Sequence, residues 1–242
     1  MRFVQLNGKG PQRDPRFLER VLSNVPLFRG VAPRQIAQLA TRARSAHFRR
    51  GAIACVQGEC QPGLYAVAYG QVKLALRGGD GEERVMRIVG AADIFGLASS
   101  LLGRPCPYEA VALADSLLVM VPSASILALV DNDPRFARAV INALAESTVS
   151  LLAEVEAGAL RRGVQRLASY LESLVGSEGA DSTYRVCLPT TKTVIASRLG
   201  VKKETLSRLL RELAQKGLIA VEQREIVILD RPRLATAGRE EA

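Results

Sequence analysis

The segment from Ala46 to Val121 constrains the fold most, because it is a series of short β-type runs separated by glycines. The runs are IACVQ, LYAVAY, VKLAL, RVMRIV, EAVALA and LLVMVP. Short strands at regular spacing with glycine turns indicate an antiparallel sandwich or barrel. Residues 77–82 (RGGDGE) predict a hairpin tip, since their glycines can adopt positive φ.

The β pattern is interrupted between Phe95 and Ala110. Residues 96–102 (GLASSLL) predict one or two helical turns, and residues 103–107 (GRPCP) predict a loop. A helical insertion inside a β-roll is a candidate ligand cradle, because loops on a rigid scaffold commonly carry binding residues.

A long helix is predicted from Pro134 to about Gly158. Its side chains at alternating spacings of three and four form a heptad stripe, which consists of Ala137, Ile141, Leu144, Thr148, Leu151 and Val155. Packing against the chain's own β-roll is one explanation of the stripe. Because the stripe is narrow and the helix is long, we favour a dimer interface. Beyond it, Gly158 and Gly163 bracket two arginines and predict a hinge.

Residues 190–218 (TTKTVIASRLGVKKETLSRLLRELAQKGL) predict two short helices around a glycine turn. The first runs from about Lys192 to Leu199 with Thr190 or Thr191 as its cap, and the second from about Lys203 to Gln215. Residues 191–216 hold seven basic residues against two acidic ones, and the following run, 220–229, predicts a two-stranded wing. Together these features predict a winged helix-turn-helix.

The charge balance favours a polyanionic partner. The 242 residues carry a net charge of +9 with a pI near 9.8, and 48% are hydrophobic, which is enough for the cores of two domains. The first fifty residues hold eleven basic residues against two acids, on a loose N-terminal segment and two predicted helices, 16–23 and 33–43. They form either a solvated face or an auxiliary surface for DNA or a partner.

The chain is expected to be cytoplasmic. The N-terminus lacks the apolar region of a signal peptide. The longest apolar stretch, 116–130, is interrupted by Pro122 and two serines and is too short to span a bilayer, so no membrane partner is expected.

The cysteines and the single histidine exclude several metal sites. Cys55, Cys60, Cys106 and Cys187 form neither a CxxC pair nor a zinc spacing, and one histidine cannot supply a site with two imidazoles. No metal site is predicted. The cysteines are expected to be reduced and inert, with thiol redox sensing by Cys55, Cys60 or Cys106 as the alternative.

From Leu22 to Leu229 the sequence resembles the Crp/Fnr family of bacterial transcription regulators. The resemblance is carried by residues 26–31 (PLFRGV), by Gly51 with residues 57–59 (QGE) after it, by Asp93-Ile-Phe-Gly96, by the long helix and by the winged helix-turn-helix. The strongest match is Glu204-Thr-Leu-Ser-Arg208, which is similar to the Fnr-type recognition pattern E-x-x-S-R. The segment REIVILDRPRL also looks most like the Dnr/Fnr side of the family.

The resemblance implies an α+β chain with a cyclic-nucleotide-binding-type β-roll (a jelly roll), a long dimerisation helix and a winged helix-turn-helix. The expected boundaries are a tail at 1–16, an effector β-roll at 17–133, a dimerisation helix at 134–160, a DNA-binding domain at 161–233 and a tail at 234–242. It implies a homodimer that acts with RNA polymerase at a palindrome with TTGAT-like half-sites.

The second predicted helix of the helix-turn-helix carries the base-reading residues. Glu204, Ser207 and Arg208 share one side of this helix, and their side chains can contact base edges in the major groove. The residues expected to contact phosphates are Thr191, Lys192, Lys202, Lys203 and Thr205.

The effector region departs from cyclic-AMP-binding members of the family. There the cassette glycine precedes a glutamate that holds the ribose, and an Arg-Ser pair grips the phosphate. Here Leu97 follows Gly96, the Arg-Ser position falls near Tyr108-Glu109, and no arginine replaces the missing cation. The long-helix position that usually contacts the adenine falls near Leu151. The expected effector pocket comprises Phe95, Gly96, Leu97, Tyr108, Glu109 and Leu151.

These departures predict that cyclic AMP does not bind in the usual way. An Fnr-type iron–sulfur cluster is not expected either, because no cysteine precedes Cys55. Haem would need an axial ligand, and His47, beside two arginines at a predicted strand start, is expected to be an exposed structural residue. The identity of the effector is open.

Three functions remain in competition. A DNA-binding regulator is favoured. It is either controlled by an effector or redox signal, or it is constitutive and has no effector. A ligand-binding β-roll module without DNA binding is disfavoured by the basic helix-turn-helix. An enzyme on a β-roll scaffold is not supported, since no nucleophile–base pair or metal set is present.

Overall fold

The computed structural model describes residues 14–79, 82–160, 163–175, 184–222 and 225–238. The chain divides into two compact units, Met1–Val149 and Ser150–Ala242. The division falls inside the long helix rather than at the expected boundaries on either side of it.

The first unit opens with helices α1 (Pro15–Asn24) and α2 (Pro33–Arg42), joined through a 3-10 turn at Pro26–Phe28. The Asp14 side chain caps α1 by accepting a hydrogen bond from the Arg16 backbone N–H at 3.0 Å, and proline suits the first helical position. Because α1 begins at Pro15, the expected tail at 1–16 is two residues too long. Residues 1–13 lie outside the described residues.

Eight strands follow, and they form two four-stranded antiparallel sheets. They are β1 (Arg44–Phe48), β2 (Ile53–Cys55), β3 (Gly63–Tyr69), β4 (Val72–Arg77), β5 (Glu83–Val89), β6 (Ile94–Phe95), β7 (Glu109–Ala112) and β8 (Ser116–Pro122). The sheet orders are β1-β8-β3-β6 and β2-β7-β4-β5. The first strand therefore pairs with the eighth, the second with the seventh, the third with the sixth and the fourth with the fifth, which confirms the predicted jelly roll.

Two hydrophobic clusters stabilise this unit. One lies between the sheets and includes Val67, Val72, Phe95 and Leu118. The other joins the first sheet to α1, α2, α4 (Ser123–Asn132) and the first turns of the long helix α5 (Pro134–Leu160), where Phe136 stacks on Phe28 at 5.6 Å. The predicted helical insertion is α3 (Leu97–Leu102).

The second unit carries the predicted helix-turn-helix, with α7 (Lys192–Arg198) and α8 (Lys203–Gln215). It also contains α6 (Gly163–Ser173), β9 (Tyr184–Cys187), β10 (Ile219–Glu222), β11 (Glu225–Ile228) and α9 (Arg231–Ala237). The wing hairpin β10–β11 is confirmed, and β9 adds a third strand by pairing with β11.

The C-terminal boundary differs from the prediction. Residues 234–242 were expected to form a tail, but α9 runs to Ala237 and buries Leu234 in the core of the second unit. The hydrophobic contact of Leu234 explains why the domain extends past residue 233. Residues 239–242 lie outside the described residues, as do Arg161 and Arg162 at the predicted hinge.

Candidate nucleic-acid interface and effector region

The turn between α7 and α8 depends on Gly200. Its φ of +64° is in the left-handed region, which L side chains rarely adopt. The Val201 backbone N–H donates to the Ala196 carbonyl at 3.0 Å and closes the turn. The small Ala196 side chain is buried where the two helices meet, beside Leu206 and Leu210 of α8. The predicted turn is confirmed, with α7 one residue shorter than expected.

A contact from α6 supports the same turn and was not predicted. The Arg166 side chain donates from Nε to the Leu199 carbonyl at 3.0 Å, so it satisfies a carbonyl at the end of α7. Gly163, which was predicted to lie at a hinge, also allows close packing against α8. A Cβ there would come within 3.1 Å of a Leu209 methyl group.

The three predicted base-reading residues lie on α8 away from its buried face. Glu204 and Arg208 are exposed one turn apart, and Ser207 is half-buried between them. The Ser207 hydroxyl donates to the Lys203 carbonyl at 3.1 Å, which leaves its oxygen able to accept. Within the described part of the chain, neither Glu204 nor Arg208 has an ion-pair partner. Their charges are therefore available to a ligand.

The predicted phosphate-contacting residues gather at the N-termini of the two helices. Thr191 and Lys202 occupy the N-cap positions of α7 and α8, Lys192 and Lys203 follow them, and Thr205 lies one turn into α8. Thr191 holds the expected cap position, but neither N-cap side chain bonds a helix amide. The first-turn N–H groups and the positive helix ends thus remain available to anions.

The wing is held by a charge contact that the sequence did not reveal. The Arg185 side chain on β9 donates to Glu222 at 2.9 Å and to Glu225 at 3.0 Å. By accepting its hydrogen bonds, these carboxylates raise the pKa of Arg185, whose guanidinium is charged at every physiological pH. Residues 223–224 at the wing tip lie outside the described residues.

In the effector region, the residues around Gly96 contact one another. The Gly96 backbone N–H donates to the Tyr108 hydroxyl at 2.9 Å, and Phe95 stacks on Tyr65 with ring centroids 5.1 Å apart. Leu97 is buried in the hydrophobic core. The sixth expected pocket residue, Leu151, belongs to the second unit.

Glu109 has a cation partner that the sequence did not identify. Arg77 donates to one Glu109 oxygen from Nε at 2.8 Å and from Nη2 at 2.6 Å. Glu109 is only 6% exposed, so the ion pair satisfies a buried carboxylate. β4 thus brings Arg77 into this region, which the sequence did not indicate, but its guanidinium is occupied by the carboxylate.

The cysteines near this region are poor nucleophiles. Burial raises the pKa of Cys55 and also that of Cys106, where it outweighs the opposing hydrogen bonds from Tyr108 and Gln61, so both remain protonated thiols at neutral pH. Cys60 is exposed. Two nearby groups lack a hydrogen-bond partner among the described residues: the Gln61 amide, which has the Cys106 thiol as a neighbour, and the buried Ser100 hydroxyl.

His47 has a structural partner. Its Nδ1 lies 3.0 Å from the Tyr69 hydroxyl, across β8 from β1 to β3, and it is half-buried rather than exposed. Among the described residues no group of three or more His, Cys, Asp or Glu side chains could hold a metal ion.

The predicted stripe on α5 has two parts. Near its start the helix packs on its own β-roll through Phe136 and Val140, and Leu144 also lies partly against that core. The other stripe residues, Ile141, Thr148, Leu151 and Val155, are exposed, apart from the half-buried Ala137. The exposed apolar face is wider than predicted, because Val149 and Leu152 belong to it.

By length and composition alone, one helix in the described chain could cross a membrane. It is Pro134–Ala153, with mean hydropathy 1.2 and 11% of that window buried. It lies beyond the interrupted apolar stretch at residues 116–130. The helix carries Arg138 and Glu146 and buries Phe136 in a protein core, whereas a helix in lipid is apolar on all sides.

Known proteins match both units. A cyclic nucleotide-binding domain matches residues 45–133, and a Crp-like helix-turn-helix domain matches residues 165–237. A Mycobacterium tuberculosis protein described as a CRP-like cAMP-activated global transcriptional regulator is 26% identical over 92% of this chain and its own full length. The Bordetella pertussis transcriptional regulatory protein btr is 30% identical over 71% of each chain.

The solved structure of FixK2 from Bradyrhizobium japonicum shares the fold, with a TM-score of 0.73 and 23% identity over 83% of this chain and 99% of that one. The jelly roll, the winged helix-turn-helix and these relatives define a class: DNA-binding transcription regulators rather than enzymes. Within that class, the chain belongs to the Crp/Fnr family.

Proposed function

We propose that the protein is a homodimeric regulator that reads a palindrome with TTGAT-like half-sites through Glu204, Ser207 and Arg208. The observation that carries the proposal is the exposed face of α8. It presents a carboxylate and a guanidinium one turn apart, free of partners within the described chain, beside two basic helix N-termini. The resemblance of Glu204-Thr-Leu-Ser-Arg208 to the Fnr-type pattern suggests the half-site.

Each base-reading residue has a distinct chemical role in this proposal. Arg208 donates two hydrogen bonds to O6 and N7 of a guanine, and Glu204 accepts from the exocyclic amino group of cytosine or adenine. Ser207 is short, so it allows α8 to approach the base edges. Each good bidentate contact contributes roughly 1–3 kcal/mol of discrimination.

The phosphate contacts position α8 without reading sequence. Lys202 and Lys203 place two cations at the N-terminus of α8, and Thr191 and Lys192 occupy the same position on α7. Thr205, in the first turn of α8, adds a hydroxyl. Since phosphates are the same at every base step, these residues supply affinity and register.

The exposed face of α5 supports the dimer. A parallel pair of these helices would bury Ile141, Leu151, Leu152 and Val155, which are otherwise in water. A two-fold dimer presents two α8 helices about one DNA turn apart, ~34 Å, which matches a palindrome.

The effector region does not support cyclic AMP as the ligand. The Mycobacterium tuberculosis relative is described as cAMP-activated, but the identity to this chain is only 26%. Here the buried Leu97 cannot accept a hydrogen bond from a ribose hydroxyl. Arg77 is occupied by Glu109, which would repel a phosphate. We propose that the protein answers to another signal or is constitutive, and that it acts with RNA polymerase in the cytoplasm.

The test compares Arg208→Ala with Lys202→Ala by fluorescence anisotropy on a TTGAT palindrome and on the same duplex with the guanine replaced. Arg208→Ala is expected to lose roughly 1–3 kcal/mol on the palindrome and to remove the preference for guanine. Lys202→Ala is expected to weaken binding to both duplexes equally and to reduce the salt dependence of the affinity.

Lys216→Ala is the matched control. It removes one cation from the end of α8, where Lys216 pairs with Glu212 at 3.0 Å, and it should alter neither property. If Arg208→Ala kept the full preference for guanine, α8 would not read the base as proposed.

A further inference from the structure

The net positive charge of the protein equals that of its first fifty residues, because the rest of the chain is neutral as a whole. Of 33 basic and 24 acidic residues, eleven and two lie there, which leaves 22 of each in the rest of the chain. The unit Ser150–Ala242, which contains the helix-turn-helix, has 15 basic and 12 acidic residues. The main electrostatic attraction to a polyanion therefore comes from outside the base-reading unit.

In the described part of this segment, residues 14–50, the charge is carried by arginines that face solvent. All eight are exposed: Arg16, Arg20, Arg29, Arg34, Arg42, Arg44, Arg49 and Arg50. None of them has an acidic side chain within ion-pair distance among the described residues. Of the two acids, Asp14 caps α1 and Glu19 is half-buried. We call residues 14–50 the arginine segment.

The fold of α1 and α2 determines that these side chains point outward. On α1 the apolar face, with Leu18 and Leu22, is buried in the core, so Arg16 and Arg20 lie one turn apart on the opposite side. On α2 the buried face consists of Ile36, Leu39 and Ala40.

The surface of the arginine segment suits a nucleic-acid backbone better than a membrane or a protein. No large hydrophobic side chain is exposed between residues 14 and 50. A helix that lies on a membrane needs an exposed apolar face, and the centre of a protein–protein interface is apolar and poor in charge. Interfaces with DNA are polar and strongly basic, and guanidinium groups bind phosphates through two parallel hydrogen bonds.

We infer that the arginine segment is a second DNA-binding surface, which binds phosphates outside the recognised palindrome. This inference rests on the proposed function in that the protein must meet DNA. It assigns different tasks to the two units. The unit with α8 discriminates between sequences, and the arginine segment supplies affinity that is independent of sequence.

The test uses the full chain with Arg16→Gln, Arg20→Gln and Arg34→Gln combined. The charge-matched control combines Arg84→Gln, Arg104→Gln and Arg135→Gln, which are exposed arginines of the same unit outside the segment. Dissociation constants are measured against salt concentration on two duplexes of about 60 base pairs, roughly six helical turns. One duplex contains the palindrome and the other a scrambled sequence.

The arginine-segment variant should bind both duplexes at least tenfold more weakly at low salt. Each phosphate contact contributes about 0.9 to the steepness of the plot of log affinity against log salt concentration. The loss of three contacts should therefore make this slope shallower by roughly 3 per protomer. The control variant should retain most of the slope. Equal melting temperatures of both variants and the parent would show that folding is unchanged.

Equal slopes for the two variants would overturn the inference, and so would a loss confined to the palindrome. An unchanged slope together with lost binding to RNA polymerase or to anionic phospholipid vesicles would also overturn it in favour of that partner. Failure of the proposed base reading is recognised separately. In that case Arg208→Ala keeps the preference for guanine while the arginine-segment variant still changes the slope on both duplexes.

Discussion

Replacing Leu151 with glutamate tests the proposed dimer interface on α5. Four large apolar side chains of this face are exposed in the single chain: Ile141 by 62%, Leu151 by 47%, Leu152 by 65% and Val155 by 66%. Complete burial of a Val, Leu or Ile side chain contributes about 1.5–3 kcal/mol, so covering the exposed parts in both protomers contributes about 7–14 kcal/mol. Association costs about 4–15 kcal/mol, so the dimer depends on most of these contacts.

Leu151→Glu removes about 1.4–2.8 kcal/mol of the favourable free energy that this burial contributes to the dimer, because the substitution occurs in both protomers. It also brings two carboxylates into an apolar interface, where unpaired charges are strongly unfavourable. The dimer dissociation constant should therefore rise by at least about tenfold. Sedimentation velocity over a dilution series measures this change.

Leu102→Glu is the matched control, since Leu102 is 64% exposed on α3, away from α5. It should leave the dimer intact. A parent protein that sediments as a monomer at micromolar concentration would refute the interface. A Leu151→Glu variant as dimeric as the Leu102→Glu control would refute it as well.

Four further predictions concern the effector region, the thiols and the turn. Calorimetry should detect no micromolar binding of cyclic AMP, because Arg77 is held by Glu109. A maleimide should modify Cys60 in the folded protein before Cys55 and Cys106, as judged by mass spectrometry of peptides. Since burial raises the pKa of Cys55, the folded state binds more protons than the unfolded chain, and the melting temperature should fall as the pH rises above about 8.5. Gly200→Ala should lower the free energy of unfolding by about 1–2 kcal/mol, whereas Gly79→Ala, at an equally open position without positive φ, should not.

The sequence predicted the elements whose signals are local. Runs of alternating apolar residues closed by glycines located most strands of the jelly roll, and the glycine turn at Gly200 located both helices of the helix-turn-helix. The two-residue strand β6 has no such signal, since it forms only by pairing with β3. The pairing of β9, the third strand of the wing sheet, with β11 has no local signal either, because it is a contact between segments far apart in the chain.

Gly163 shows the same limit at a single residue. Glycine at a domain boundary indicates either a hinge or a close approach of two helices, and the sequence alone favoured the hinge. The distance from its missing Cβ to Leu209 depends on how α6 packs against α8. That packing is set by the whole core of the second unit, which includes the unpredicted helix α9.

The ion pair between Arg77 and Glu109 shows why the effector region could not be understood from its own segment. In the sequence, a carboxylate stands where cyclic-AMP-binding members place a cation, and no arginine replaces that cation. Strand register places Ala75 opposite Glu109, so Arg77, two residues farther along β4, lies on the same face of the sheet as that carboxylate. The region therefore contains a guanidinium, but the carboxylate neutralises it. A phosphate would have to displace a buried carboxylate from its partner, and we expect this competition, rather than the absence of an arginine, to oppose cyclic-nucleotide binding.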